Sequence, residues 1–204
     1  MPNVFIVGKD YSIERMFVNQ GWNIVRDIDK AEYVQFTGGA DVSPMLYGEP
    51  RHPRTGTSPS RDEQEADIYY SYMANKKMLG ICRGGQFLNV MNGGAMHQHV
   101  NNHAMHGTHV AKVVSTGELF QVTSTHHQMM IPHRIGKVLV TANLSTSKEN
   151  GWEEEMIMDY PDDIESVFYE DTMSLCFQPH PEYADADHDC QKLYFSLIKQ
   201  YLMN

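Results

Sequence analysis

One cysteine lies between two glycines and two apolar runs, in the segment "MLGICRGGQFLNV" (78–90). Gly80 comes two residues before Cys82, and Gly84 comes two residues after it. Where a buried strand turns sharply into a helix, glycines at these places relieve crowding against the turn. The pattern is the cysteine counterpart of the G-x-S-x-G nucleophile elbow. It therefore predicts a strand, a turn and a helix with a nucleophilic thiol at the apex.

The predicted position of Cys82 would also activate its thiol as a nucleophile. At a helix N-terminus the dipole and the unpaired backbone N–H groups favour the thiolate, which is the reactive form. The N–H of Arg83 would point to where the oxyanion of a tetrahedral intermediate forms. The alternative for Cys82 is a small buried hydrophobe, which describes most free cysteines. We assign Cys176 and Cys190 to that class, whereas the flanking glycines favour catalysis for Cys82.

A thiol nucleophile needs a base and a group that orients the base. The segment "LCFQPHPEY" (175–183) offers His180 and Glu182 directly after a strand-like run. In an extended His-Pro-Glu segment the carboxylate reaches the imidazole while the ring faces elsewhere. A bare His-x-Glu is common on protein surfaces, so the assignment of His180 as the base depends on its pairing with the predicted elbow.

These residues need a framework, and the first third of the chain alternates short apolar runs with helical patterns. That alternation is typical of a parallel sheet with crossover helices. A loop rich in Gly, Pro and Ser, 37–60, is long enough to favour a functional role. Since we find no repeat or linker, we expect one domain, 1–204. The predicted strands are 3–7, 22–25, 32–36 and 78–81, then antiparallel strands at 110–114, 137–142 and 165–169; the predicted helices are 11–20, 61–75 and a closing helix after Ala184.

Five motifs in order carry a resemblance to a known family: "TGGADVSP", "SRDEQE", "LGICRGGQFLNV", "TSTHHQ" and "FQPHPE". Together they closely resemble the class I glutamine amidotransferase-like superfamily, and within it the peptidase C26 branch, which includes γ-glutamyl-GABA hydrolases. The resemblance runs from about residue 33 to residue 183. It implies a flavodoxin-like α/β fold, a three-layer sandwich with a mainly parallel central sheet and a small antiparallel addition.

The resemblance also implies roles for particular residues. Cys82 would be the nucleophile, His180 the base and acid, and Glu182 the group that orients His180. The oxyanion hole would be formed by the backbone N–H groups of Gly39 and Arg83. Glycine suits the first of these positions because it lets main chain approach a carbonyl closely.

The implied substrate contacts come from two segments. In relatives, the α-amino and α-carboxylate groups of the glutamyl substrate are held by the glutamine of the elbow helix and by main chain before a histidine. Gln86 could instead be a solvated helix residue, and two adjacent histidines could simply cap a loop. The residues that correspond here are Gln86, Ser124, Thr125, His126 and His127.

Other positions either match or depart from the branch. Arg61, Asp62 and Glu65 match its R-D-x-x-E motif, for which we predict helix capping and loop anchoring. Thr123 replaces the usual asparagine, and 96–99 replaces Leu-x-Gln-Asp with Met-His-Gln-His. These departures leave the triad intact and put the substrate in question. The acidic run 150–165 is either a solvated surface or a selector for a cationic amine on the substrate.

Five histidines lie between residues 97 and 109. His97 with His99, or His106 with His109, would be candidate ligand pairs for zinc or nickel. No cysteine or carboxylate completes a recognised spacing, and members of the resembled family carry histidines here without a metal. We therefore expect no metal and no other cofactor.

The composition argues against several classes of partner. With a formal net charge of −10 and a pI of about 5.5, the chain would on average repel nucleic acid or an anionic membrane. No stretch approaches the ~20 apolar residues that span a bilayer, and the N-terminus lacks a leader pattern. The three cysteines lack a CxxC spacing and fit a reducing compartment. We expect a cytoplasmic protein with neither a nucleic-acid nor a membrane partner.

The sequence leads to three hypotheses about function. The leading one is a free-standing hydrolase that releases glutamate from glutamine or a γ-glutamyl amine through a thioester, since 204 residues are expected to leave no room for a synthase domain. The second is a glutaminase subunit that delivers ammonia to a separate synthetase. The third is a binding or regulatory relative without activity, against which the intact triad argues. Besides the small γ-glutamyl substrate, the candidate partners are a second copy of the chain, since flavodoxin-like hydrolases of this kind are often dimers, and a synthetase under the second function; the sequence does not decide the oligomeric state.

Overall fold

The computed structural model describes residues 1–104, 107–151 and 162–203, and within these ranges its framework is a nine-stranded sheet. Two small two-stranded sheets accompany it. The strands are β1 (Asn3–Ile6), β2 (Asn23–Ile24), β3 (Tyr33–Phe36), β4 (Lys77–Ile81), β5 (Ala95–His97), β6 (His99–Val100), β7 (Thr108–Val113), β8 (Leu119–Thr123), β9 (Met129–Ile131), β10 (Lys137–Ala142), β11 (Lys148–Glu149), β12 (Asp163–Tyr169) and β13 (Ser174–Phe177). The helices are α1 (Tyr11–Asn19), α2 (Pro59–Tyr72), α3 (Arg83–Met91) and α4 (Asp189–Leu202).

The large sheet has the order β2-β1-β3-β4-β13-β12-β10-β7-β8. Its first five strands are parallel, and their order is the 2-1-3-4-5 of flavodoxin-like folds. The other four strands join antiparallel and extend the sheet at one edge. The predicted flavodoxin-like α/β fold is therefore confirmed, with an antiparallel part of four strands.

Successive side chains of a strand point to opposite faces, and the central strand β4 shows how this builds three layers. Leu79 belongs to the core cluster that contains the buried faces of α1 and α4. Its neighbour Met78 belongs to a second cluster with residues of α2 and α3. Each face of the sheet is thus covered by two helices. No helix in the described ranges is both long enough and apolar enough to cross a membrane.

The closing helix begins later than the sequence pattern suggests. Its start was expected after Ala184, whereas α4 begins at Asp189. The His188 side chain accepts a hydrogen bond from the backbone N–H of Cys190 and so satisfies a free donor at the helix start. The residues before it, Pro181–Tyr183, form a short 3-10 turn instead. That turn carries one of the predicted triad residues.

The glycines around Cys82 are required by close backbone contacts. A Cβ on Gly84 would lie 2.5 Å from the carbonyl carbon of Phe36, in the neighbouring strand. A Cβ on Gly80 would lie 2.5 Å from the backbone nitrogen of Gly85. Real Cβ atoms do not come this close to backbone atoms, so strand β4 and helix α3 meet this tightly only because both positions are glycine.

Replacement of Gly84 by alanine is expected to destabilise the fold by about 1–3 kcal/mol, since either β3 or the start of α3 must shift. Urea unfolding followed by circular dichroism measures the change. Gly56→Ala is the matched control, because a Cβ there meets no atom within 4 Å. An equal loss of stability in both variants would mean that the contact with Phe36 is not what requires glycine.

Candidate active site

The predicted site residues follow three neighbouring strands of the sheet. β3 pairs with β4 and β4 pairs with β13, all parallel, so their carboxyl ends lie side by side. Gly39 follows β3, Cys82 follows β4 and His180 follows β13. In open parallel sheets this is the edge where ligands bind. The three residues line one cavity of about 210 Å³, together with Asp41, Arg83, Gln86, Thr125, His126, His127, Gln128 and Tyr183.

Cys82 lies at the sharp turn between β4 and α3. Its backbone has φ 50° and ψ −114°, a conformation that residues with a side chain rarely adopt. The thiol is partly exposed, whereas Cys176 and Cys190 are buried and burial raises the pKa of both. Of the three cysteines, Cys82 alone combines the strained turn, access to the cavity and the N-terminus of a helix.

His180 interacts with Glu182 and with Cys82. Its Nδ1 is 2.6 Å from Oε1 of Glu182. Burial works against protonation of the ring, but the hydrogen bonds to Cys82 and Glu182 outweigh it and raise the pKa of His180 to about 10. The protonated imidazole is therefore favoured beside the Cys82 side chain, where it can serve as a proton donor.

Two further residues fix the position of His180, and sequence reasoning missed both roles. The backbone N–H of His180 donates to Oγ1 of Thr123 at 2.6 Å. The Tyr183 ring stacks on the imidazole with centroids 4.5 Å apart and an angle of 3° between the planes. Thr123 stood out in the sequence only as a departure from the branch. Its role depends on β8 lying beside the 178–180 segment, which no local pattern reveals.

The guanidinium of Arg83 is buried beneath the elbow. It pairs with Asp62 and Glu65 of α2, and all three side chains are almost completely buried. Burial, and then the neighbouring Arg61, lower the pKa of Arg83 to about 10, while Asp62 opposes this shift. Because Arg83 is the first residue of α3, its backbone N–H has no acceptor within the helix. The side chain thus fixes the residue whose N–H is a candidate for the oxyanion hole.

Arg61 connects the same network to the loop after β3. It donates to Oε1 of Glu65 at 2.7 Å and to the carbonyl oxygens of Thr37 and Gly38 at 2.9 Å. Asp62 accepts hydrogen bonds from the backbone and side chain of Ser43. The R-D-x-x-E motif therefore holds loops in place, as expected. The N-cap residue Ser58 makes no side-chain capping bond, so the expected capping role is not observed.

The predicted substrate residues divide into two groups. Gln86 is buried and donates to Oε1 of Gln178 at 3.2 Å, so it is a packed residue of the cavity wall and not a solvated one. The Nε2 of His127 is 3.2 Å from Oδ1 of Asp41, and this hydrogen bond raises the pKa of His127. Thr125 and His126 also line the cavity beside Cys82. Asp41 had carried no predicted role.

Ser124 and the side chain of His126 face a different region. The Ser124 hydroxyl donates to the carbonyl oxygen of His103 at 2.9 Å and lines a second cavity of about 500 Å³. Burial, followed by nearby His103 and His109, lowers the pKa of His126 well below its usual value. The 124–127 segment therefore separates the cavity at Cys82 from a buried group of histidines.

Of the two histidine pairs proposed from spacing, the described residues include both members of one, His97 with His99. His97 is buried, while His99 is half-buried and stacks on His52 at a centroid distance of 6.2 Å. His109 lies in the buried group with His103 and His126. His106 and most of the acidic run 150–165 lie outside the described residues, so the hypothesis of amine selection by that run stays a prediction.

Comparison with known proteins gives three findings. Residues 18–148, well over half of the chain, match the sequence model of the family described as Peptidase C26; the match ends before His180. The glutamine amidotransferase-like protein YvdE homolog of Lactococcus lactis subsp. cremoris is 46% identical over 83 residues, which are 40% of this chain and 44% of that protein. The match thus spans less than half of this curated relative's length.

Two solved structures share the fold at low identity. A glutamine amidotransferase from Thermotoga maritima has a TM-score of 0.61 at 16% identity, over 100% of this chain and 86% of that chain. A proposed GMP synthase subunit from Thermoplasma acidophilum has a TM-score of 0.58 at 16% identity, over 98% of this chain and 96% of that chain.

Proposed function

The chain belongs to the peptidase C26 family, and from that premise we propose that it hydrolyses the γ-glutamyl amide bond of glutamine or of a γ-glutamyl amine and releases glutamate. The observation that carries the proposal is the strained Cys82 beside a His180 whose ring lies 2.6 Å from Glu182. This arrangement supports an activated thiol nucleophile with an oriented base. The glutamine amidotransferase-like relatives and fold support an enzyme of the amidohydrolase or amidotransferase kind.

In the proposed reaction, the Cys82 thiolate attacks the side-chain amide carbon of the substrate and forms a C–S bond. The negative oxygen of the tetrahedral intermediate accepts hydrogen bonds from the N–H groups of Gly39 and Arg83. His180 gives its proton to the amide nitrogen, the C–N bond breaks, and the amine or ammonia leaves. A water molecule, deprotonated by His180, then attacks the thioester, and glutamate is released as the thiolate is restored.

The cavity supports a small substrate that carries one positive and one negative group. Its volume of about 210 Å³ is below the roughly 300–1,000 Å³ typical of drug-sized ligands. Asp41 and His127 place an acidic and a basic group on the same wall. These groups, with Gln86 and the main chain at 125–126, are suited to the α-amino and α-carboxylate ends of a glutamyl group. The charged end would then orient the amide toward Cys82.

The second candidate is a glutaminase subunit that delivers ammonia to a separate synthetase. It is favoured by the resemblance of the fold to the proposed GMP synthase subunit, which extends over 96% of that chain. The chemistry at Cys82 would be the same, and only the fate of the nitrogen would differ. The two candidates therefore make different predictions about substrate preference.

The experiment is to incubate the purified protein with glutamine and a panel of γ-glutamyl amides and to measure glutamate by mass spectrometry. Turnover of a γ-glutamyl amine well above that of glutamine supports the hydrolase. Slow turnover of glutamine alone supports the synthetase subunit, and a candidate synthetase should then increase the rate. If no member of the panel is hydrolysed and Cys82 does not react with a glutamine-like electrophile, both proposals are wrong.

The pH dependence of hydrolysis should report on His180. Because its pKa is raised to about 10, the ring stays protonated at neutral pH and loses its proton as the pH rises through 10. The acid that protonates the leaving amine is then lost, so kcat/KM should fall on the alkaline side. Glu182→Gln removes one of the groups that raise this pKa, so the alkaline fall should begin at lower pH and kcat should drop by about 10²-fold or more.

Glu170→Gln is the control for that measurement, since Glu170 is exposed in the turn after β12. Its pH profile should overlay that of the wild type. An alkaline fall at the same pH in Glu182→Gln and wild type would show that Glu182 does not set the protonation of His180.

A further inference from the structure

A buried group of histidines and carboxylates lies behind the wall of the candidate active site. The imidazoles of His103 and His126 lie with ring centroids 4.5 Å apart, and His103 and His109 are 4.9 Å apart. Glu165 of β12 reaches into the group, and Asp163 lies at its side. These residues come from four segments of the chain and are all buried. From this arrangement we propose that His103, His126 and Glu165 bind a divalent zinc-type metal ion.

The distances fit the edges of a metal coordination shell better than they fit hydrogen bonds. Oε1 of Glu165 is 3.4 Å from Nδ1 of His103 and 3.8 Å from Nε2 of His126. One ligand atom from each of the three residues lies within 4.8 Å of the others. In tetrahedral zinc sites with bonds of about 2.0–2.2 Å, neighbouring ligand atoms are about 3.3–3.6 Å apart. Two histidines and a glutamate are also a known zinc ligand set.

The ring of His126 gives independent support. The side chain is almost completely buried, yet neither of its nitrogens has a hydrogen-bond partner among the described residues. Buried polar groups in native proteins are normally paired, and one left unpaired calls for an explanation. A metal ion bound to Nε2 would provide that partner.

Asp163 and His109 each contact one of the proposed ligands, as the neighbours of metal ligands usually do. Nε2 of His103 is 2.9 Å from Oδ2 of Asp163, which leaves Nδ1 to face the proposed ion. Oδ2 of Asp163 also accepts hydrogen bonds from the backbone N–H groups of Leu144 and Ser145. Nε2 of His109 is 2.9 Å from Oε1 of Glu165. Histidine ligands of zinc commonly carry such a carboxylate on the second nitrogen.

The two cavities give the site a route of access and a consequence. His109 and Ser124 line the cavity of about 500 Å³, so an ion could reach the group from that side. His126 lies next to Thr125 and His127, which line the cavity beside Cys82. A bound ion would therefore fix the 124–127 segment from behind. The ion would have a structural role at the wall and would be separate from the thiol chemistry.

The test is metal content and affinity, measured on the full chain without an affinity tag. Protein stripped with a chelator is titrated with zinc chloride against a chromophoric chelator. We expect one tightly bound zinc per chain, retained in Cys82→Ala and in His99→Gln, because neither the thiol nor His99 belongs to the proposed site. His126→Gln should lose it, and Asp163→Asn should bind zinc about 10–100-fold more weakly. Cobalt(II) added to the stripped wild type should give the visible absorption of tetrahedral coordination.

The result that overturns the proposal is stripped wild-type protein that binds no zinc tightly and shows no tetrahedral cobalt spectrum. A bound zinc that survives His126→Gln and Asp163→Asn unchanged would also overturn it, because the ion would then be held elsewhere. Should His126→Gln fail to fold, the isosteric Glu165→Gln and the cobalt spectrum of the wild type still test the proposed metal site.

Discussion

Replacement of Cys82 by alanine is expected to lower kcat/KM for the best γ-glutamyl substrate by about 10⁴-fold or more. No other cysteine can substitute, because Cys176 and Cys190 are buried and their pKa values are raised. The proposed thioester could not form, and only the candidate oxyanion hole and the proposed substrate contacts would remain. The measurement is glutamate release by mass spectrometry, together with covalent labelling by a glutamine-like electrophile, which should modify Cys82 alone.

Cys176→Ala is the matched control for this prediction. The residue lies in β13 within the core cluster that contains α2 and α3, so its loss changes packing and leaves the cavity intact. It should keep nearly wild-type turnover and the full label. Substantial hydrolysis by Cys82→Ala, or labelling of Cys176 in the wild type, would exclude Cys82 as the nucleophile.

The local parts of this site were predictable because their signals are local. The turn at Cys82 is encoded by glycines two residues away, and the structure shows that each of them avoids a backbone clash. His180 and Glu182 are two residues apart, so an extended segment places them in contact whatever surrounds it. The parallel strands were also predictable, since buried strands form continuous apolar runs bounded by glycine and polar turns.

The parts that sequence reasoning missed depend on contacts between distant segments. Thr123 contacts His180, 57 positions away, and Asp41 in the long loop contacts His127 in a distant segment. The histidine spacing at 97–109 suggested pairs within that segment, whereas the structure joins His103 and His109 to Glu165 of β12. The strands β6 and β11 have two residues each, too few for any periodicity. Such features depend on which distant segments the fold brings together, and local sequence patterns do not show this.

The sequence showed Arg83 only as the residue after the nucleophile, yet its side chain organises the site. It joins the elbow to α2. Arg61 of α2 in turn hydrogen bonds to the loop that carries Gly39. Both candidate oxyanion donors are therefore positioned by one buried ionic network. A buried network of this kind need not stabilise the fold relative to an apolar core, but losing Arg83 leaves the buried Asp62 carboxylate without its paired cation and Glu65 with Arg61 alone. The arrangement therefore supports a role for the network in fixing the geometry of the site.

Arg83→Met is accordingly expected to lower the free energy of unfolding by about 3–5 kcal/mol. The methionine fills much of the same space, but Asp62 and Glu65 lose their buried partner. The backbone N–H of residue 83 is retained, so the loss reports on the side chain. Urea unfolding measures it. The control is Arg26→Met, which breaks a surface pair with Glu14 in which the arginine side chain is 68% exposed; its unfolding curve should match the wild type. Equal effects of the two substitutions would mean that burial of the ionic network does not decide its importance.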